Sequence, residues 1–188
     1  MRNTIKEVVS ISKKLFDEGL VTGKAGNISI IYEKDIIAIT PTLMSLGDLN
    51  EEDIVLVNFD GEILTKGKPS SEYIMHIEIY KARSDINAIV HTHSPYATGF
   101  AHSDKSIKRL EGFGKIEKEY LSELKYEKPG SIELAKGAAK AINKEDVLIL
   151  KNHGVIAVHD SLKEAGELAG FVEESAKTQF ITLMLNSI

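Results

Sequence analysis

Asn87-Ala88-Ile89-Val90-His91-Thr92-His93-Ser94 is the stretch around which the chain is organised. Its small and β-branched residues before the first histidine predict a short buried strand. Side chains at i and i+2 of a strand leave the same face, so we expect His91 and His93 to point together. Two neutral imidazoles on a rigid element suit a divalent ion such as zinc, which takes N, O or S ligands. Two ordinary histidines at a strand end have the same spacing, so the metal hypothesis requires further ligands.

The composition limits the class of protein. The 188 residues are 43% hydrophobic and 27% charged, which predicts one globular domain over residues 1–188. A net charge of −5, with Lys and Arg spread along the chain, argues against nucleic acid or an anionic membrane as a partner. There is no cysteine, so a metal must be held by His and carboxylate side chains. Without a signal-like N-terminus or a long apolar run, we expect a cytoplasmic protein.

Apolar periodicity predicts a helix followed by a meander of strands, and then four further helices with three more strands among them. Helices are predicted at residues 3–19, 70–83, 94–101, 132–142 and from Ser161 onward, and strands at 28–32, 36–39, 54–57, 88–90, 147–150 and 155–158. Asp60-Gly61 is a hairpin signal, and residues 48–53 are interpreted as a solvated turn. Residues 103–128 show no clear period and are assigned no element.

Further metal ligands are available elsewhere in the chain. His153 follows the predicted strand 147–150, and Gly154 beside it allows a close approach. Glu72 lies at the start of a predicted helix. The helix, a turn and a strand connect it to His91, and a connection of about this length can bring the two residues together.

Three histidines remain outside this set. We interpret His76, one turn after Glu72, as a histidine at the core edge in preference to a group that supports Glu72. His102 and His159 are interpreted as structural or exposed.

Two polar turns have the residue types of an anion site. Gly26-Asn27 lies in a glycine-rich turn whose N–H groups can face an anion, and Ser70-Ser71 stands at the positive end of a helix dipole. A plain hairpin loop and ordinary helix capping explain the same residues. On the residues alone both interpretations stay open.

The chain resembles the class II aldolase/adducin family over nearly its full length, and within it most closely the L-fuculose-1-phosphate aldolases. The matching motifs are, in chain order, Gly26-Asn27, Thr40-Pro41-Thr42, Pro69-Ser70-Ser71-Glu72, His91-Thr92-His93 and Asn152-His153-Gly154. The resemblance implies an α/β fold, a three-layer α/β/α sandwich around a mainly antiparallel sheet, and a C4 homotetramer with sites at the subunit interfaces. It also implies one Zn²⁺ per chain on Glu72, His91, His93 and His153, and a substrate phosphate on Gly26, Asn27, Thr42, Leu43, Ser70 and Ser71.

The activity implied by the resemblance is zinc-dependent cleavage of L-fuculose-1-phosphate, or a related ketose-1-phosphate, to dihydroxyacetone phosphate and L-lactaldehyde. Glu72 is then the group that carries the proton at the enediolate carbon. An L-ribulose-5-phosphate 4-epimerase or a methylthioribulose-1-phosphate dehydratase would use the same zinc site. Epimerases typically have Asp at the position of Glu72, which favours the aldolase. A non-enzymatic adducin-like module is disfavoured because such chains have lost ligand histidines.

Two positions depart from the family pattern. Leu43 stands where the aldolases commonly have glycine. The aldolases also take a tyrosine acid from the neighbouring subunit, and the matching place here reads Glu111-Gly112-Phe113-Gly114. We transfer that role to neither Tyr120 nor Tyr126. Lactaldehyde, glycolaldehyde and glyceraldehyde all remain open as the aldehyde product, because residues 103–128 would contact that end of the substrate.

Overall fold

Five α-helices and seven β-strands are present in residues 2–110 and 118–188, the part of the chain that this computed structural model describes. The helices are α1 (Arg2–Asp17), α2 (Tyr73–Ala82), α3 (Pro95–His102), α4 (Ile132–Ala141) and α5 (Leu162–Leu185). The strands are β1 (Asn27–Glu33), β2 (Ile36–Ile39), β3 (Val55–Asn58), β4 (Ala88–Thr92), β5 (Ser122–Leu124), β6 (Val147–Leu150) and β7 (Gly154–His159). Among the described helices, none has the length and apolar character that crossing a bilayer requires.

The strands form one sheet in the order β3-β2-β1-β4-β7-β6-β5. Every neighbouring pair is antiparallel except β5 and β6, which are parallel. The mainly antiparallel sheet and the meander β1-β2-β3 that the sequence predicted are therefore confirmed. β4, which ends in the paired histidines, lies at the centre of the sheet.

Helices cover both faces of the sheet, which confirms the predicted three-layer α/β/α sandwich. Ile89 of β4 packs in the cluster that contains Ile77 of α2 and Leu134 of α4. Val90, its neighbour, faces the opposite cluster with α1 and α5. Because both faces are covered, β4 is buried along its whole length, and its first three residues form a continuous apolar run with no alternation.

Two local predictions were confirmed only in part. Residues 48–53 are not simply a solvated turn, because 3₁₀ helices form at Leu46–Asp48 and Glu51–Asp53 and the leucines at 46 and 49 are buried beside α1. The Asp60-Gly61 turn forms, with Gly61 at a φ of +86°. It leads only to a single bridge between Val57 and Ile63, however, and not to a further strand.

The helix predicted over 70–83 is α-helical over Tyr73–Ala82. The sequence indicated that only one apolar face of this helix would be buried. Instead, five of its ten residues are buried, namely Met75, His76, Ile77, Ile79 and Tyr80. The helix packs beside α4 on one face of the sheet, and so brings polar residues into the interior.

Candidate metal centre

Three histidines converge where β4 ends beside the turn between β6 and β7. Nε2 of His91 lies 3.0 Å from Nε2 of His93 and 3.3 Å from Nε2 of His153. The nitrogens that could ligate a metal all lie within 4.8 Å of one another. The structure therefore brings together the three histidines that the sequence singled out.

Strand pairing fixes the orientation of His91. In the β4–β7 ladder His91 pairs with Ile156 and Thr92 pairs with Val155. Nδ1 of His91 lies 2.9 Å from the carbonyl oxygen of Val155 and donates its proton to it. A ring nitrogen anchored on a carbonyl leaves Nε2 facing the centre, which is how metal-binding histidines are commonly held.

Gly154 lets the two histidine-bearing segments approach each other. A Cβ at this position would lie 2.5 Å from the Thr92 carbonyl oxygen, 2.9 Å from Cδ2 of His93 and 3.2 Å from Cε1 of His91. No residue with a side chain fits there without moving backbone or ligand rings. Asn152 supports the same turn from a left-handed φ of 57°, a conformation that Asn tolerates better than most residues.

Glu72 lies against two of the three imidazoles. Its Oε2 is 3.3 Å from Nε2 of His91, and its Oε1 is 3.5 Å from Nε2 of His153. The side chain is buried, and Oε1 has no hydrogen-bond partner among the described residues. Burying a carboxylate oxygen without a hydrogen-bond donor is costly, and a cation bound beside Oε1 would offset that cost.

The pKa values of the cluster reflect burial and mutual charge. Burial raises the pKa of Glu72, but His91, His153 and the Asn27 amide outweigh it, so the pKa lies well below its usual range. Burial, and then the charge of His91, lowers the pKa of His93 to about 3 and that of His153 to about 4. Burial also lowers the pKa of His91, but Glu72 outweighs it and the net shift is upward.

The donor set fits a borderline divalent cation. His93 and His153 are neutral at neutral pH and offer lone pairs, and a cation placed between His91 and Glu72 would replace the proton that they otherwise share. Three imidazole nitrogens and one carboxylate oxygen, without thiolates, match zinc or a similar ion.

The segments predicted to hold the substrate phosphate lie side by side. Residues 40–43 and 68–71 are joined by a bridge between Pro41 and Pro69, with the Thr42 N–H donating to the Lys68 carbonyl at 3.1 Å. The Ile28 N–H, next to Asn27, donates to Oγ1 of Thr40 at 3.1 Å. The three turns that contain the predicted residues are thus adjacent at one edge of the cluster.

The predicted residues differ in exposure. Asn27 and Ser70 are buried, whereas Ser71 and Leu43 are exposed. Oγ of Ser70 accepts the N–H of Glu72 at 3.3 Å, and no side chain of the described residues caps the first turn of α2, so ordinary capping does not explain Ser71.

Gly26 and Leu43 both have a left-handed backbone. Gly26 has a φ of +80°, and a Cβ there would lie 2.8 Å from the His91 carbonyl oxygen, so this turn packs directly on the metal-centre strand. Leu43, where the family commonly has glycine, has a φ of 63°. The backbone of this position therefore keeps the conformation that glycine favours.

A buried hydrogen-bond chain reaches Glu72 from the core. Nδ2 of Asn27 donates to Oε2 of Glu72 at 3.0 Å, and Oδ1 of Asn27 lies 2.6 Å from Nε2 of His76. Nδ1 of His76 lies 2.7 Å from Oγ of Ser29, which is 2.9 Å from the hydroxyl of Tyr80.

The preference for His76 as a core-edge histidine was wrong, because it is fully buried and linked through Asn27 to Glu72. Ser29 and Tyr80 were not singled out from the sequence. The four-residue spacing of Glu72, His76 and Tyr80 was the available signal.

The position of the family's tyrosine acid, Glu111-Gly112-Phe113-Gly114, lies outside the described residues. Tyr120 and Tyr126 are both exposed, by 40% and 53%.

Comparison with known proteins gives consistent matches. The family model described as "Class II Aldolase and Adducin N-terminal domain" matches residues 6–180. The chain is 41% identical to the "L-fuculose phosphate aldolase" of Methanocaldococcus jannaschii, over 96% of this chain and 97% of that protein. It is 35% identical to a "5-deoxy-D-ribulose 1-phosphate aldolase" of Bacillus thuringiensis, over 94% of this chain and 84% of that protein.

The fold also matches a solved structure, that of an "L-fuculose 1-phosphate aldolase", with a TM-score of 0.91 and 30% identity. That match covers 98% of this chain and 88% of the other. Near-complete coverage in sequence and in structure shows that the chain belongs to the class II aldolase and adducin family.

Proposed function

We propose that the protein is a zinc-dependent aldolase that cleaves L-fuculose-1-phosphate, or a related ketose-1-phosphate, to dihydroxyacetone phosphate and L-lactaldehyde. One observation carries the proposal. The carboxylate of Glu72 is buried against His91 and His153, with Oε1 lacking a partner among the described residues. The two relatives with aldolase names support the class of substrate, since both names specify phosphorylated sugars.

The residues that would hold the ion are His91, His93 and His153, joined by Glu72 before substrate binds. Zinc in this position supplies Lewis-acid polarisation of the substrate oxygens. The chain's own contribution is to orient the imidazoles, through the Val155 carbonyl and the close approach at Gly154.

Glu72 acts on one defined proton. Cleavage removes the proton of the C4 hydroxyl and breaks the C3–C4 bond, which leaves an aldehyde and the enediolate of dihydroxyacetone phosphate. That enediolate takes up a proton at C3, and we assign this transfer to Glu72. A carboxylate that is buried and held on one oxygen by Asn27 keeps the other oxygen available for the transfer.

The substrate phosphate would lie on Gly26, Asn27, Thr42, Leu43, Ser70 and Ser71. The adjacency of the three turns that carry these residues supports this placement. At Leu43 the left-handed backbone means that loss of the family's glycine does not by itself remove an N–H contact.

We also infer from the family a homotetramer with sites at the subunit interfaces, and a cytoplasmic location. Light scattering on the purified protein tests the first inference. A monomer at micromolar concentration would contradict it.

Product identification tests the function. The zinc-loaded protein is incubated separately with L-fuculose-1-phosphate, L-ribulose-1-phosphate and L-ribulose-5-phosphate. Release of dihydroxyacetone phosphate from a 1-phosphate is the expected result. Conversion of L-ribulose-5-phosphate to its 4-epimer, without cleavage, would make the protein an epimerase. No reaction with any of the three would contradict the proposal and leave the dehydratase and the binding module as the alternatives.

A further inference from the structure

Five polar side chains form a line through the interior between α2 and β1. Glu72, His76 and Tyr80 come from the α2 segment, and Asn27 and Ser29 come from β1. Their successive contacts are the distances of 3.0, 2.6, 2.7 and 2.9 Å given above. All five side chains are buried, with His76 and Ser29 at 0% exposure. Because the line lies in an apolar layer, each of its polar groups needs a hydrogen-bond partner.

The line forms because a helix and a strand have nearly matching repeats. Four residues of α-helix advance about 6 Å, and two residues of strand advance about 6.7 Å. Positions 72, 76 and 80 therefore run in step with positions 27 and 29, since each set lies on one face of its element. Pairing of Asn27 with His91 across β1 and β4 places the end of the line at the metal centre.

The proton positions along the line follow from its ends. Glu72 is a carboxylate and can only accept, so Asn27 must present its Nδ2 to Glu72 and its Oδ1 to His76. His76 must then carry its proton on Nε2, and its Nδ1 must accept from Ser29. The Tyr80 hydroxyl has one proton, and both Oγ of Ser29 at 2.9 Å and the Ser29 carbonyl oxygen at 3.0 Å lie within reach of it, so Ser29 Oγ, having donated, accepts from Tyr80 as one branch of a shared hydrogen bond. Every bond thus donates toward Glu72, and reversing any one of them leaves two donors or two acceptors face to face.

The ionisation states agree with this direction. Burial lowers the pKa of His76 to about 3, which keeps the ring neutral and able to accept at Nδ1. Burial raises the pKa of the Tyr80 phenol, which therefore keeps its proton.

We propose that His76 is a positioning residue for the Glu72 proton transfer, and that its Nε2–H tautomer, set by Ser29 and Tyr80, holds the Asn27 amide in the orientation that donates to Glu72. This inference rests on the proposed function, because it assigns a purpose to the placement of Glu72. Without the donor on His76, the Asn27 carbonyl loses the partner that fixes the amide, and the amide can rotate away from the carboxylate. Glu72 then loses the bond that holds Oε2 and leaves its position beside His91.

The experiment compares two variants at one position. His76→Phe keeps an aromatic ring but removes the donor, and His76→Gln restores an N–H donor near the place of Nε2. We expect His76→Phe to lower kcat for ketose-1-phosphate cleavage about 10–100-fold, the range seen for groups that orient active-site ligands, while the zinc content stays at the wild-type level. His76→Gln should recover at least part of the lost kcat. Equal kcat in wild type and His76→Phe would overturn the proposal, as would equal loss in the Phe and Gln variants.

Two variants farther along the line separate positioning from simple destabilisation. Ser29→Ala and Tyr80→Phe remove buried hydrogen bonds one and two links from His76, so each should lower the free energy of unfolding, measured by urea denaturation. The loss of kcat should decrease in the order His76→Phe, Ser29→Ala, Tyr80→Phe. If the loss of kcat across the variants is instead proportional to the loss of unfolding free energy, the five residues have only a structural role and the proposal fails.

A direct readout does not depend on activity. Long-range ¹H–¹⁵N spectra of histidine-labelled wild-type protein distinguish the two imidazole tautomers, and the His76→Gln spectrum identifies the His76 signals. The Nε2–H tautomer at neutral pH supports the proposal, and the Nδ1–H tautomer or an imidazolium would overturn it. If the wild type cleaves none of the sugar phosphates, the proposed function fails and the tautomer alone decides the direction of the line.

Discussion

Replacing Gly154 with alanine should damage the metal centre through packing alone. The added Cβ would lie 2.5 Å from the Thr92 carbonyl oxygen and 2.9 Å from Cδ2 of His93. The carbonyl belongs to a paired strand and cannot turn aside, so the turn that carries His153 must move. Overpacking of this kind typically costs about 1–3 kcal/mol, which corresponds to a fall in Tm of about 2–12 °C for a chain of this size.

Two assays separate the effects of this change. Thermal unfolding in the presence of a chelator measures packing alone, and competition with a zinc indicator measures the affinity, which we expect to fall about 10–100-fold because the ligand rings are displaced. Gly99→Ala is the matched control, since a Cβ there, in the middle of α3, would meet no atom of residues 2–110 and 118–188 within 4 Å. That control should raise stability by about 0.5–1 kcal/mol. A Gly154→Ala protein with unchanged Tm and unchanged zinc affinity would refute the close-packing argument.

Three further changes test separate parts of the site. His153→Ala should lose most of the zinc affinity, measured by metal analysis after dialysis, and full occupancy would remove His153 from the site. Ser71→Ala should raise KM for the ketose-1-phosphate, with inorganic phosphate as a competitive inhibitor of the wild type, and an unchanged KM would exclude Ser71 from phosphate binding. Leu43→Gly relieves about 1–2 kcal/mol of left-handed strain and loses about 0.4–1 kcal/mol through greater freedom in the unfolded chain, so urea unfolding should show a gain between roughly zero and 1.5 kcal/mol. A clear loss of stability there would mean that the exposed Leu43 side chain makes a stabilising contact.

Most of the architecture was predictable because it follows from local patterns. Each of these elements can be identified without reference to the rest of the chain. The strands are recognised by apolar runs, at β1, β2, β4, β6 and β7, and the helices by helical spacing of apolar residues, at α1, α4 and α5. β5 was missed because it is short and only partly buried, and it is stabilised by its parallel pairing with β6. A pairing between strands that far apart in the chain leaves no local periodicity.

The convergence of the three histidines was predictable for a different reason. The i, i+2 spacing of His91 and His93 already fixes their direction on a strand, and glycine beside His153 signals close approach. The support behind Glu72 was not predictable in the same way, because it depends on which helix face meets which strand. Neither the position of His76 in α2 nor that of Ser29 in β1 shows that their side chains lie 2.7 Å apart.

Proton exchange by a Glu72→Gln variant tests the proposed chemistry most directly. Glutamine keeps the size of the side chain but cannot accept a proton at neutral pH, and the three histidines should still hold the ion. We expect the variant to retain zinc, to lose roughly two to four orders of magnitude in kcat, and to fail to exchange the C3 proton of dihydroxyacetone phosphate with solvent. Exchange at the wild-type rate in a zinc-loaded Glu72→Gln protein would show that another group is the base and would contradict the assignment of Glu72.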